Sequence, residues 1–458
     1  MASRTWLIVE KEVMANLENR RIHVIFATML LLFLLSAHLL ANDYRSRLDN
    51  WTTNEAAQQD PVFGRTITYT LPDGSFFHSA GTGHDSPLQR PEPLSVLVKG
   101  TDGEVDRTVT VSQRLSIGPR QNKSGVWALF ESPDISFAVK LIVSLFALVM
   151  SLGAVTYEKE TGTLQAILAN PIRRVEILLG KATGAAISLL VPFTISYFSA
   201  ILYLYAAQGL LREKEQLAKA VMIFGFSLLY GLVFINLGLL ISTLTTRRKT
   251  AIVTALLVWG TIVLVLPDAA VLIANILSPA PSYNQMDARS YESQQQIIKE
   301  ELRAHPGATS IFNTPSAGQA LSRIWEADKQ LTEDYVTRKI RQTEQARSLA
   351  LISPSGALTF GLSDLAGTGT GAFASYLEFL RSGQVKMIEA MERRLDLPPE
   401  GGAKLIQDTV KQLNARQRQS VPALAGLRLA LPAICSLVLW MVGLGLAACW
   451  CFHRYDVR

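Results

Sequence analysis

The chain has 458 residues, a formal net charge of +6, 49% hydrophobic and 18% charged residues, and 3 cysteines. Apolar runs of about 20 residues, long enough to cross roughly 30 Å of hydrocarbon, recur along it and exclude a soluble multidomain reading of that length. Cys435, Cys449 and Cys451 all fall in the last run, which excludes a disulfide framework; the basic excess sits beside apolar runs at Arg20-Arg21, Arg173-Arg174, Arg247-Arg248-Lys249 and Arg454, as positive-inside bias requires, and needs no nucleic acid to explain it.

Residues 1–21 set Trp6, Leu7, Val9, Val13, Met14 and Leu17 against Glu10, Lys11, Glu12 and Glu18, the pattern of an amphipathic helix lying at a membrane interface. Residues 22–41 form a first span. Leu39 stands where a signal cleavage site wants a small residue, so the segment reads as an uncleaved anchor with its N-terminus inside. Residues 42–134 are then extracytoplasmic: a polar helical start, followed by strand-like alternation at 65–71, 93–99 and 107–111 with turns at Pro72-Asp73-Gly74 and Thr101-Asp102-Gly103. This predicts a small β-containing insertion. His78, His84 and Asp85 share its Gly-rich loop, in a spacing that matches no familiar metal set.

A second span, 135–156, leads into 157–177, where Glu158-Lys159-Glu160-Thr161-Gly162-Thr163-Leu164 is followed by Asn170-Pro171-Ile172-Arg173-Arg174 and Leu179-Gly180-Lys181. Leu164, Ile167 and Leu168 share one helical face, too short to span and too apolar for water, so this helix is expected along the membrane surface. These residues resemble the first cytoplasmic loop of ABC-2 type ABC transporter permeases. The resemblance implies an α-helical exporter permease fold with six transmembrane helices, and a coupling helix that docks on a separate cytoplasmic ATPase subunit. Carried over by position, Glu158, Glu160, Gly162, Thr163, Leu164, Pro171 and Arg173 are the expected ATPase-coupling residues. Glu158 and Glu160 would meet basic groups on the ATPase, or cap Thr163 and its neighbouring amides. Arg173 and Arg174 would serve either the partner or lipid phosphates. The resemblance also implies a second permease, as a homodimer or with a paired paralogue.

The third span, 178–206, carries Pro192 as an expected kink, and 207–218 is a short outer loop. The fourth, 219–244, presents Gly225, Gly231 and Gly238 for close packing, with Asn236 expected in an interhelical hydrogen bond or at a substrate. After the basic loop 245–249 comes the fifth span, 250–275, whose Asp268 is read as marking the exit from the bilayer. Residues 276–424 form a larger extracytoplasmic insertion, mainly helical at 284–303, 317–347, 372–395 and 402–418. Its apolar, Gly-punctuated stretch 350–370 is expected to dip back against the membrane face or to line an exit. The sixth span, 425–452, and the tail 453–458 return the chain to the cytoplasm, giving a multi-pass protein of the inner (plasma) membrane with both termini inside.

No enzyme site is legible. Gly180-Lys181-Ala182-Thr183 lacks the first glycine and the closing hydroxyl order of a phosphate loop, and Gly361-Leu362-Ser363-Asp364-Leu365 ends on Leu where a nucleophile elbow needs Gly. ATP and Mg are therefore expected on the partner, with no cofactor in this chain, and export or delivery of a substrate as the function. Membrane lipid and a periplasmic protein are further expected partners. Two other readings compete: a membrane scaffold or mechanotransmitter whose outer domains act on a protein client, and a membrane-bound hydrolase.

Overall fold

The computed structural model describes residues 2–18, 20–58, 67–70, 76–79, 86–87, 90–103, 108–111, 115–117, 134–169, 172–395, 397, 401–402, 404–405, 408–409, 412 and 421–454. Among these, six helices are long and apolar enough to cross a membrane. The helices are α1 (Ala2–Leu17), α2 (Arg20–Gln58), α3 (Ile135–Glu160), α4 (Thr163–Leu168), α5 (Arg174–Ala206), α6 (Lys214–Leu244) and α7 (Arg248–Leu277). They continue with α8 (Tyr283–Ala304), α9 (Ala317–Ala350), α10 (Pro354–Ala366), α11 (Thr370–Leu395) and α12 (Ala423–Arg454). The spanning helices are α2, α3, α5, α6, α7 and α12.

Small residues set the bundle's contacts. A Cβ on Gly238 of α6 would stand 2.1 Å from Ser151 Oγ of α3, and one on Gly231 would stand 2.8 Å from Leu189 Cδ2 of α5. Only glycine lets these backbones approach so closely. Gly225 meets nothing within 4 Å, so it is not part of that face. Asn236 Nδ2 donates to Met441 O of α12 at 3.2 Å, the interhelical bond expected of it. Phe33, Phe193, Tyr197 and Phe224 close the α2–α5–α6 seam with centroids 5.1 to 6.4 Å apart. Pro192 lies inside α5, which runs through it as one helix.

One sequence expectation changes here. Pro93–Val96 is a 3₁₀ turn, not a strand. Proline at its first position presets the turn, and Leu94, Ser95, Val96, Leu97 and Val98 are all buried, so no exposed face exists to alternate with. Ile67–Thr70 pairs antiparallel with Phe76–Ser79, and Thr108–Val111 joins Ser86–Pro87 and Leu115–Ile117. These short pieces do not by themselves make up the expected β-containing insertion. The turn at 72–74, His84 and Asp85 lie outside the described residues, as does most of 402–418. Asp268 is exposed, and α7 continues past it to Leu277 with Val271, Leu272, Ile273 and Ile276 exposed.

The stretch 350–370 folds back into the bundle as α10, buried along nearly its whole length. Gly361 makes this possible, since a Cβ there would stand 2.4 Å from Phe226 Cζ and 3.1 Å from Ala433 Cβ. Pro267 cannot donate to the turn before it, and α7 widens there into a π turn at Thr261–Val265. The Ile262 carbonyl then accepts from Ser353 Oγ at 3.0 Å and Ser355 Oγ at 2.7 Å. Ser436 Oγ and Trp440 Nε1 of α12 donate to Leu351 O and Ile352 O at 2.6 and 2.9 Å. The α9–α10 turn thus sits about midway along α12. From it α9, 34 residues long, runs out past α7 to a separate core around Trp325, Ile324 and Met387 with α8 and α11.

Candidate functional site

Helix α3 ends at Glu160, and residues 161–173 turn the chain through α4 into α5. Gly162 makes the first turn: it is the residue before α4, with φ +73, and a Cβ there would meet nothing within 4 Å. The left-handed backbone, not crowding, calls for glycine. Gly162, the residue before α4, offers no side chain to cap it. Glu158 is engaged elsewhere: one carboxylate oxygen accepts from Lys181 and the other has no hydrogen-bond partner among the described residues. Thr161 Oγ1 instead donates to Tyr157 O and pairs with Thr163 Oγ1 at 2.9 Å.

The two acids part company. Residues two apart on a helix face opposite ways, and Glu158 is 6% exposed while Glu160 is exposed. Lys181 Nζ, 3% exposed, donates to Glu158 Oε1 at 2.6 Å and to Glu12 Oε1 of α1 at 2.7 Å. Leu164 is likewise buried, at 3%, with Ile167 and Leu168 packed on the same core. The apolar face of α4 is thus turned into the bundle rather than laid on lipid. Thr163, Gln165, Ala166 and Ala169 line its exposed side, with Glu160 before and Arg173 after. Pro171 lies outside the described residues.

Three contacts tie this connection to the rest of the bundle. Lys159 Nζ donates to Thr243 O at 2.5 Å and Thr245 O at 3.2 Å, closing the last carbonyls of α6. Thr156 Oγ1 and Ser242 Oγ, 2.9 Å apart, join the same two helix ends. Arg174 Nη1 donates to His453 O at 2.8 Å and Phe452 O at 3.3 Å, closing the end of α12. Arg174 is therefore engaged with a helix terminus, whereas Arg173 is exposed. The third contact is the Lys181 triad.

The seat of α1 on α5 is not among the expected contacts, although the sequence carries a signal for it. Gly180 and Gly184, four apart, make a small-residue face on α5. A Cβ on Gly180 would stand 3.0 Å from Ile8 Cγ2, and one on Gly184 would stand 2.6 Å from Glu12 Cβ. Asn16 Nδ2 continues the contact to Ser188 Oγ at 3.1 Å. Among the described residues no group of three or more His, Cys, Asp or Glu could hold a metal ion.

Comparison with known proteins fits this arrangement. The Probable multidrug ABC transporter permease YbhR of Escherichia coli (strain K12) is 28% identical over 156 residues, 32% of this chain and 38% of that protein. The Probable ABC transporter permease protein NosY of Pseudomonas aeruginosa is 32% identical over 137 residues, 30% of this chain and 50% of that protein. NosY of Stutzerimonas stutzeri is 33% identical over 141 residues, 30% of this chain and 49% of that protein. The chain thus spans half or less of the length of these curated relatives. A family model described as ABC-2 family transporter protein matches residues 6–457. With six apolar helices and a match across nearly its whole length, the chain belongs to the ABC-2 family of transporter permeases.

Proposed function

We propose that this permease couples ATP hydrolysis on a separate cytoplasmic ATPase subunit to export, or extracytoplasmic delivery, of a substrate. The carrying observation is the contrast within residues 158–174: one side exposed, and the other tied to the ends of α6 and α12 and to α1. A push on Glu160, Thr163, Ala166 and Arg173 would reach those helices together as a rigid-body rotation. Leu164 anchors the lever, Gly162 bends it, and Glu158 pins it. ATP and Mg belong to the partner, and no cofactor belongs to this chain. Arg20, Arg247, Arg248, Lys249 and Arg454 collect at the end bearing this connection, which supports placing it and both termini in the cytoplasm of an inner-membrane protein. A second permease, identical or a paired paralogue, completes the transporter. The α8–α9–α11 unit then stands outside, facing a periplasmic protein.

A second reading has its own support. Helix α9 joins the outer core to a turn halfway across the bundle, so motion there can be delivered to a protein client without a translocated substrate. Membrane extraction followed by affinity purification separates the family reading from a scaffold that uses no nucleotide. Native chain should bring an ATPase with it, and Glu160→Arg/Arg173→Glu, both exposed positions, should lose it. No ATPase with either form would refute the proposal.

A further inference from the structure

The end of the bundle opposite the 158–173 connection is crossed by a buried segment. Pro91, Glu92 and residues 94–98 are buried, although they belong to neither a spanning helix nor a strand. Leu94, Val96, Leu97 and Val98 enter the same apolar core as Val139 of α3, Ile223 of α6 and Leu362 of α10. On one side, polar contacts fix the segment to α2 and α3. Arg47 Nη2 donates to Ser95 Oγ at 3.0 Å, and Lys99 Nζ lies 3.3 Å from Asp43 Oδ2. The Leu97 carbonyl accepts from Ile135 N at 3.0 Å. Asp134 accepts from Phe137 N at 2.8 Å, capping α3, and from Lys99 N at 3.0 Å.

On the other side the segment meets α6 and the turn between α10 and α11. Glu92 Oε1 stands 3.9 Å from Lys219 Nζ, with both side chains buried. Thr101 donates to Thr368 O through its amide at 2.9 Å and its hydroxyl at 2.7 Å. Thr368 Oγ1 returns a bond to Val98 O at 3.1 Å. Gly100, with φ +48, lets the chains meet: a Cβ there would stand 2.6 Å from Thr368 O and 3.0 Å from Ser363 Cβ. The two sides differ in kind. Charged groups and a helix cap hold the first, whereas the contact with the α10–α11 turn rests on neutral bonds, which exchange for water at small net cost. Any path that opens at this end between α2–α3 and α6–α10 must part that second contact.

We propose that residues 91–101 form a strap that seals this end of the bundle at rest and opens by leaving the α10–α11 turn while staying on α2 and α3. The seal belongs to the resting chain; only what drives its release rests on the coupling reading above. Helix α11 begins at Thr370, so release at Thr368 also frees the root of the outer core.

The test uses the full chain in lipid nanodiscs, in a background carrying Cys435→Ala, Cys449→Ala and Cys451→Ala. Ser363→Cys, against Gly100, reports access of a charged maleimide, and Ser196→Cys, buried in α5, reports global unfolding. With the native strap both should stay protected, and reaction at 363 there would overturn the seal. Thr101→Val/Thr368→Val keeps side-chain volume and removes both hydroxyls. Labelling at 363 should then rise about tenfold, the factor that two lost hydrogen bonds put on an opening equilibrium, with 196 still protected. Unchanged labelling at 363 would overturn the seal. If 196 reacts too, the double variant has unfolded, and Thr101→Val alone decides by the same two outcomes at 363. Release is read in the native strap with spin-label pairs at Arg90 and Ser375, and at Ser46 and Arg90, all exposed. With the co-purifying ATPase and a non-hydrolysable nucleotide, the 90–375 distance should lengthen and the 46–90 distance should stay fixed. A fixed 90–375 distance, or a 46–90 distance that lengthens in its place, would overturn the release. If no ATPase co-purifies with the native chain, the coupling reading fails, and the nucleotide-free labelling still decides the seal.

Discussion

Glu158 and Glu160 lie two positions apart in the sequence and in opposite environments. Glu158→Ala removes one of the two carboxylates on the buried Lys181 and leaves Glu12 as its partner, so it should destabilise the chain by about 1.5–3 kcal/mol, the range for a lost hydrogen bond to a charged group. Glu160→Ala should leave thermal unfolding in detergent unchanged, because its side chain is exposed. Equal effects from the two would contradict the assignment. Gly162→Ala should cost about 1 kcal/mol through its left-handed backbone, although the added methyl has open space around it. In the sequence the two acids looked like one motif, since both flank Lys159 and precede Thr-Gly. The helical period that separates them was legible; the partner that claims Glu158 was not, because Lys181 lies a turn and a helix further on. The Gly180–Gly184 spacing is legible as a seat for another helix, but which helix fills it is a long-range contact that the spacing does not encode.

Among the elements, α10 depends on having no side chain at Gly361. Gly361→Leu should force it out of the bundle, since Phe226 and Ala433 occupy that space. A cysteine at Ser355, buried in the native protein, should then react with a membrane-impermeant maleimide. Persistent protection would show that α10 is seated by something else. The outer core carries a separate expectation. The Ser316 hydroxyl, followed by Thr314 and His305, holds the Glu301 carboxyl below its ordinary range. A depressed carboxylate stabilises the fold above its unfolded pKa and loses that stabilisation as pH falls through the folded one. Acid below about pH 4 should therefore loosen the α8–α9 junction first, seen as faster amide exchange at 300–316 than at 320–335. The apolar, Gly-punctuated composition of 350–370 announced its return to the membrane. The Pro93 segment misled, because a continuously buried turn and a strand share the same apolar letters when neighbours on all sides are unknown.

On the scale of the molecule, the spans were plain in the sequence because hydrocarbon imposes length and apolarity whatever the packing. The wiring between them was not, because it consists of long-range contacts. Lys159 reaches α6, Arg174 reaches α12, and Lys181 reaches α1 across separations that no local pattern encodes. What results is a bundle in which the ends of α6 and α12, and α1, are tied to the helices flanking the exposed α4, and whose middle holds the root of a long rod leading to the other side. The central claim is that this exposed helix is where an ATPase binds. A photo-crosslinking amino acid at Ala166 tests it directly in intact cells, with the same group at the exposed Glu326 of α9 as control. The account predicts an ultraviolet-dependent adduct between Ala166 and an ATPase subunit, and none with that subunit from Glu326. An ATPase adduct from Glu326 instead, or no adduct from Ala166 when the chain is inserted and folded, would contradict it.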